Sequence, residues 1–437
     1  MRDAGGRALA VGGYVRDHML GIERKDVDLE VFGLEPDALI AVLEQFGRVD
    51  LVGKAFGVLK VNHLDVSIPR RETKTAAGHR GFEVDSDPHM SFEDAARRRD
   101  LTINAMAEDL LTGERLDPFD GARDLELRML RAVDLDHFGE DPLRVLRVCR
   151  FAARFLFHVD GDTRDLCQQL DLSELPRERI YDEFKRMLMG SRFPSVGLQT
   201  MRIVNALRFF PELEALIDCP QEYEWHPEGD VWFHTLLVTD QAAALKIGDD
   251  YEDFVVLIAA VCHDFGKPGT TKIEAGRIRS MNHEALGEEP TRAFLGRLTN
   301  EKKFVDDVVA LVVHHLRPHM LHKSGAGAAA IRRLATKLPI ERLVRLARAD
   351  HYGRTTPDAL DRHYAAGDWL LERAKELEVA DQAPKPVLMG RHLLERGFVG
   401  GPRMGQVLDR AFEAQLDGAF EDLDGALAWL EANGGEG

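Results

Sequence analysis

The rhythm of apolar and polar positions changes twice along this chain. Over residues 1–130, short apolar runs alternate with short amphipathic stretches. The run at 9–11 and a helix-like segment at 15–20 lead to an amphipathic helix over 36–46, and 57–61 and 63–68 read as two strands of a hairpin. Residues 73–92 lack a sustained period and mix Gly, Pro and charge, which predicts a mobile surface loop ordered by substrate. From 131 onward the chain reads almost wholly as helix, and three prolines between 211 and 229 mark a boundary within that helical half. Further on, two short helices flank Gly400-Gly401-Pro402, a turn suited to simple packing or to close approach of a nucleic-acid phosphate.

Composition narrows this picture only a little. At 437 residues there is room for several domains, and 44% hydrophobic with 30% charged residues fits a globular protein. No signal-peptide pattern and no apolar run long enough to span a bilayer are present, so a cytoplasmic location and no membrane partner are expected. Cys149, Cys167, Cys219 and Cys262 lie far apart and read as reduced, buried thiols. The net charge of −18 weighs against nucleic acid on its face, but the local field decides where a polyanion docks. Arginines cluster at 70–71, at 97–99 and from Arg144 to Arg154.

The chemistry is densest between residues 11 and 30, VGGYVRDHMLGIERKDVDLE. Gly12-Gly13 at a strand-to-helix turn lets backbone approach a phosphate. Asp26 and Asp28, two apart in a strand, share a face, and such a pair of carboxylates suits magnesium. A phosphate cradle beside paired metal carboxylates points to phosphoryl or nucleotidyl transfer. Asp65, on the second hairpin strand, is a candidate third carboxylate. In Arg97-Arg98-Arg99-Asp100-Leu101-Thr102-Ile103-Asn104, Asp100 or Thr102 is expected to cap a helix with Asn104 on its first turn, and the guanidinium groups suit phosphate and sugar oxygens. Asp117-Pro118-Phe119-Asp120-Gly121 reads as a turn. Asp141 then reads as the N-cap of a helix with Pro142 at its first position, and Arg144, Arg147, Arg150 and Arg154 form a stripe along one face, most simply a solvated one.

Beyond residue 229 the chemistry changes. His234 opens a helical run, the apolar run 254–262 ends in His263-Asp264, His283 starts a helix after the basic segment 272–279, His314-His315 close one, and Asp350 lies in another. Histidines and aspartates on several helices can converge in a bundle as metal ligands.

Together these motifs resemble the class II tRNA nucleotidyltransferases, the family of CCA-adding enzymes and poly(A) polymerases, with an HD phosphohydrolase-type domain appended. The resemblance covers nearly the whole chain. It implies an α+β fold: a small mixed-sheet catalytic head over 1–130, a helical neck over 131–218 with the template and tRNA-binding motif, an HD domain over 219–375, and a helical tail over 376–437 suited to RNA contact. It implies that Gly12, Gly13, Arg16 and Asp17 hold the triphosphate region, that Asp26 and Asp28 hold Mg2+, and that Arg98, Arg99 and Asp100 recognise the ribose. Asp117 to Gly121 would form the hinge between head and neck. Asp141 and Arg144, supported by Arg147, would be a protein template, accepting from an exocyclic amine and donating to ring and carbonyl acceptors.

His234, His263, Asp264 and Asp350 match the HD pattern, with His283 and His315 as added ligands for a divalent transition metal. The segment from His314 to His319 holds more histidine than that pattern requires, which leaves the ligand set open. The implied function is addition of CMP, CMP and AMP to the 3′ end of tRNA from CTP and ATP. The HD site would hydrolyse phosphomonoesters or 2′,3′-cyclic phosphodiesters. A poly(A) polymerase, or an enzyme adding only CC or only A, shares the motifs. A non-catalytic RNA-binding protein is the rival from another class, and intact Asp26, Asp28 and His263-Asp264 argue against it. Oligomeric state stays open.

Overall fold

The computed structural model describes residues 1–23, 27–52, 58–62, 64–74 and 82–433. The chain forms two compact units, Met1–Phe210 and Pro211–Gly437.

The first unit opens on a seven-stranded sheet. Its strands are β1 (Arg7–Val11), β2 (Asp28–Phe32), β3 (Val49–Val52), β4 (Val58–Val61), β5 (Leu64–Ser67), β8 (Ala107–Glu108) and β9 (Arg115–Leu116), in the order β3-β4-β5-β2-β1-β8-β9. Every neighbouring pair is antiparallel except β2 and β5, which run parallel. The helix Pro36–Leu43 covers the β4-β5-β2 part, burying Leu39 and Leu43 against Val31, Leu59, Val61 and Val66. The expected helices at 15–20 and 36–46 appear as Gly13–Met19 and Pro36–Leu43, and the hairpin strands as β4 and β5.

Two readings between residues 70 and 104 need correction. Within the stretch expected as a loop, β6 (Arg70–Lys74) and β7 (Phe82–Ser86) pair as an antiparallel ribbon. The first of these strands is wholly polar, so it lacks the alternation that betrays a strand. Residues 75–81 lie outside those described. Asp100 and Thr102 cap no α-helix. The chain makes only a 3-10 turn, Thr102–Asn104, before entering β8, because the Asp100 carboxylate is already engaged.

The helical part of this unit packs the helix Leu143–Phe155 against Arg177–Met189 and Pro194–Ile203. Pro142 takes the N-cap position, one residue later than expected, while Asp141 Oδ1 accepts from the Leu143 N–H at 3.2 Å. The arginine stripe is not a solvated face: Arg150 is buried, and its Nε donates to Glu183 Oε2 at 2.6 Å.

The second unit is a helix bundle. The helix Val231–Ala244, capped by Asp230, packs against Asp250–Cys262 and Ile340–Gly353. Its start lies three residues before His234, which therefore sits inside the first turn and does not open the helix. Asp250–Cys262 is buried along nearly its whole length, which explains its continuous apolar run. The basic segment expected before His283 forms an antiparallel hairpin, Thr271–Glu274 with Arg277–Ser280. In the tail, Pro402–Leu416 is a full-length helix with Pro402 at its first position. It shares a small core of Leu388, Leu393, Ala411, Phe420, Ala426 and Leu430 with Gly390–Leu394 and Leu423–Asn433.

Two candidate active sites

In the first unit, a cleft of about 480 Å³ opens between the sheet and the helices after residue 140. Gly12 and Gly13 form its floor at the end of β1. Gly12 has φ +64 and ψ −122, a backbone conformation that strains any residue with a side chain, and a Cβ there would also displace the Arg99 guanidinium 2.6 Å away. Arg16 is 2% exposed and stacks over Phe151 and Phe155, at 5.1 and 4.8 Å from the ring centroids. Its guanidinium donates to Asn104 Oδ1 and, at 2.8 Å, to Asp17 Oδ1, while Asp17 Oδ2 accepts from Arg154 at 3.1 Å. Asp17 therefore braces two arginines from beneath.

Asp28 lines the same cleft. It is the register partner of Asp65 on the neighbouring parallel strand, so both carboxylates stand on one sheet face. Asp65 is turned to Lys60 Nζ at 3.2 Å and does not line the cleft. Asp26 lies outside the described residues.

Asp100 ties the sheet to the helices. Its Oδ1 accepts from Leu101 N and Asn104 Nδ2, both at 2.8 Å, and its Oδ2 from Arg147 Nε at 2.7 Å. Burial alone would raise its pKa, but the Arg147 charge and these hydrogen bonds outweigh it and hold the carboxyl at about 2. Arg99 and Arg144 reach the cleft. Arg98 takes part through its carbonyl, which accepts from Arg144 at 2.7 Å, and its side chain is not among the lining groups. Arg179 holds Asp141, and sequence reasoning missed it. It stands 38 residues away on a separate helix, where no local signal could single it out.

The second site gathers all six residues expected for it. His234 comes from the helix Val231–Ala244, His263 and Asp264 from the end of Asp250–Cys262, His283 from a short helix, His315 from the end of Lys302–His314, and Asp350 from Ile340–Gly353. Ligand atoms of His234, His263 and Asp264, and those of Asp264, His283 and His315, lie within 4.8 Å of one another in each group. Gly266 permits this: a Cβ there would lie 2.0 Å from the His283 carbonyl oxygen, so any side chain would push His283 away from Asp264.

The imidazoles are oriented alike. Nδ1 of His263, His283 and His315 donates to the carbonyl three residues earlier, Ala260, Ser280 and Val312, at 2.8, 2.8 and 2.7 Å. His234 Nδ1 donates to Glu228 Oε1 at 2.8 Å. With Nδ1 protonated, each Nε2 presents a lone pair. His234 Nε2 then faces Asp350 Oδ1 at 3.0 Å, and His263 Nε2 faces Asp264 Oδ2 at 3.2 Å, the latter pair buried and without hydrogen-bond geometry. Lone pairs facing carboxylates repel unless the imidazole takes a second proton or a cation lies between them. Burial, with His283 and His263 nearby, pushes His315 down to about 3, so it is neutral and ready to ligate. Burial would raise the Asp264 carboxyl, but His263 and Lys267 hold it well below the usual range. The buried His263 Nε2, which has no hydrogen-bond partner, and the mixed N/O set fit a divalent transition metal.

Two residues here escaped the sequence reading. Glu228 Oε1 accepts from His226 Nδ1 at 2.9 Å as well as from His234, bridging the two behind the candidate ligand His234. Both lie in the proline-containing stretch read as a boundary, where His-Pro-Glu six residues before a ligand was the available signal.

Residues 8–131 match the family model "Poly A polymerase head domain", 157–217 match "Probable RNA and SrmB- binding site of polymerase A", and 231–355 match "HD domain". Fold and family matches define a nucleotidyltransferase head followed by an HD domain. The chain is 37% identical over 389 residues to the multifunctional CCA protein of Pasteurella multocida, covering 85% of this chain and 90% of that one. It is 36% identical to that of Stenotrophomonas maltophilia over 418 residues, covering 92% and 97%. The chain belongs to the multifunctional CCA protein family. The Bacillus stearothermophilus CCA-adding enzyme solved with CTP shares the fold, with TM-score 0.65 at 22% identity over 99% of this chain and 94% of that one.

Proposed function

We propose that the chain adds CMP, CMP and AMP in turn to the 3′ end of tRNA, using CTP and ATP, with the cleft of the first unit as the transfer site. Its near full-length identity to the multifunctional CCA proteins carries this reading. The tRNA 3′-hydroxyl attacks the α-phosphorus and pyrophosphate leaves. Asp28, together with Asp26, would hold magnesium, which when bound offsets triphosphate charge and favours formation of the attacking alkoxide. Gly12, Gly13 and the braced Arg16 and Arg154 position the triphosphate, and Arg99 with the Asp100–Asn104 turn positions the sugar. Arg144 and Asp141 read the base edge, and Arg179 fixes the Asp141 carboxylate in place.

The head, neck, HD domain and tail divide at about residues 130, 218 and 375 in this scheme, and the arginines of the neck receive the tRNA backbone. The test is incubation with labelled CTP and ATP and transcripts ending before, within or after CCA. Poly(A) tails, or addition stopping at CC, would replace this reading with one of its relatives.

The second site is a phosphoesterase in the same proposal. His234, His263, Asp264 and Asp350, with His283 and His315, would hold a transition metal, which supplies an activated water when bound. Lys267, at 2.7 Å from Asp264 Oδ2, and Arg354 line the opening and bind the phosphate oxygens.

A further inference from the structure

In the first unit, the helices Leu143–Phe155 and Arg177–Met189 meet in a fixed order. Arg179 holds Asp141, just ahead of Leu143, while Glu183 takes Arg150 at 2.6 Å and Arg147 at 3.8 Å. Arg179, Glu183 and Arg186 stand at spacings of four and three, so they share one helix face. The pairs advance together along both helices, and the same order brings Arg186 towards the turn that carries Arg154. Met187 and Ala153 agree with that register, since a Cβ on Gly197 would run into both.

Arg186 lines the transfer cleft, is exposed there, and its guanidinium has no hydrogen-bond or ion-pair partner among the described residues. The acids around it are already engaged. Asp17 serves Arg16 and Arg154, Asp100 serves Arg147, and Asp141 serves Arg179. Among the described residues, eight arginines line the cleft against three aspartates, a local surplus of positive charge on a chain whose net charge is −18. An unpaired guanidinium facing such a cleft suits phosphate oxygens, which its planar fork of donors matches. None of the steps argued so far uses it.

We propose that Arg186 binds the β- and γ-phosphates of the incoming nucleotide, and the pyrophosphate they become. The proposal rests on the reading of this cleft as the transfer site and deepens it. Asp141 and Arg144 stand at the start of the helix Leu143–Phe155, and Arg154, tied through Asp17 to Arg16 and the glycine turn, stands at its end. Arg144 and Arg154 are ten residues apart. That is about 15 Å of helix, the span of an extended nucleoside triphosphate from base to last phosphate. A nucleotide laid in that direction carries its outer phosphates past Gly12 and Gly13 to Arg154 and Arg186. Those phosphates are the same in CTP and ATP, so Arg186 serves both and takes no part in choosing between them. When the tRNA 3′-hydroxyl attacks, the bond from the α-phosphorus to the bridging oxygen breaks and its electron pair stays on pyrophosphate. The Arg186 charge offsets that gain.

The test measures equilibrium binding of CTP, CMP and inorganic pyrophosphate to the full-length protein with magnesium, beside nucleotide incorporation and tRNA binding. Arg186→Ala should weaken CTP and pyrophosphate about tenfold, as for loss of one charge-assisted contact, and CMP by less than about twofold. Comparing variant with wild type cancels any binding in the second unit, where Arg186 does not lie. The KM for CTP and that for ATP should rise alike, with the choice of nucleotide unchanged, and Arg186→Lys should recover part of the loss. Weakening that falls equally on CTP and CMP would mark Arg186 as structural and overturn the proposal. Unchanged CTP binding overturns it too, and a tRNA complex whose salt slope has fallen by about one would then make Arg186 a contact to the RNA backbone. If the wild type adds no nucleotide to tRNA, the transfer reading fails, and the CTP–CMP difference between wild type and Arg186→Ala decides the role of Arg186 by itself.

Discussion

Arg179 holds both carboxylate oxygens of Asp141, at 3.1 and 2.8 Å. A carboxylate gripped from one side cannot rotate to suit different partners, so Asp141 presents fixed acceptor positions towards the cleft. Arg144 is fixed from its own side by the carbonyls of His137 and Arg98, at 3.0 and 2.7 Å. Two rigid groups of opposite hydrogen-bonding sense are what a base-reading surface requires. Arg179→Ala should therefore raise misincorporation of UMP and GMP about tenfold while CMP and AMP addition continues, since one good polar base contact carries roughly 1–3 kcal/mol of discrimination. Arg144→Ala should do the same. Sequencing of extended tRNA ends measures it, and an even loss of activity towards all nucleotides would mark both residues as structural.

Asp28 shares a sheet face with Asp65 but is the one that lines the cleft. Asp28→Ala should lower CMP incorporation by at least about a thousandfold, the several kcal/mol associated with metal-held phosphoryl transfer. Binding of tRNA should change less than about twofold, because phosphate contacts by arginines are untouched. Asp26→Ala should behave alike. Asp65→Ala should keep most activity. Single-turnover assays beside filter binding separate the three, and near-normal turnover in Asp28→Ala would remove the metal assignment.

The parts of this molecule that were legible in sequence are those whose signal is local. A glycine pair after an apolar run marked the turn at Gly12, and an apolar run ending in His263-Asp264 marked the helix end that brings these two side chains beside His234, His283 and His315. The unread parts depend on partners that only the fold brings together. Glu228 is recognisable only once His234 is seen to need a hydrogen-bond acceptor behind it, and Arg179 only once Asp141 is placed. The arginine stripe misled for a related reason: periodicity reports which residues share a face, and it was Glu183, on another helix, that made the face at Arg150 a buried one. The polar strand Arg70–Lys74 was invisible because its residues carry no hydrophobic alternation.

That Glu183 contact makes a stability prediction. Arg150 and Glu183 are both buried, and Arg147 adds a second cation at 3.8 Å. Glu183→Ala leaves Arg150 buried and uncompensated, so unfolding free energy should fall by about 3 kcal/mol. A double variant, Glu183→Leu with Arg150→Met, should recover much of it. Denaturant titration checks both, and a single variant as stable as wild type would show the pair to be solvated in practice.

Acid should act through Asp100. Its folded-state pKa of about 2 lies below the ordinary value of 3.8. A depressed carboxyl stabilises the fold fully above its unfolded pKa, and that contribution disappears as pH falls through the folded value. Wild-type stability should thus drop between about pH 4 and pH 2, and Asp100→Asn should be less stable at neutral pH with a shallower fall over that window. Identical pH slopes for the two proteins would assign the acid sensitivity elsewhere.

The two sites should fail independently. Residues lining the transfer cleft all precede position 211, and those of the HD site all follow it, in separately compact units. Asp264→Ala removes a carboxylate that stands near His263, His283 and Lys267 at 3.2, 3.3 and 2.7 Å. Its loss should abolish tight binding of transition metal and hydrolysis of a 2′,3′-cyclic nucleotide, with CCA addition within about twofold of wild type. Glu228→Gln, which disturbs the hydrogen bonds from His234, His226 and Thr355, should weaken metal binding by about 10–100-fold and leave CCA addition alone. Metal content by mass spectrometry, thermal melting and both activities on one preparation decide the matter. A folded Asp264→Ala protein that has also lost CCA addition would show that the HD metal site supports the head.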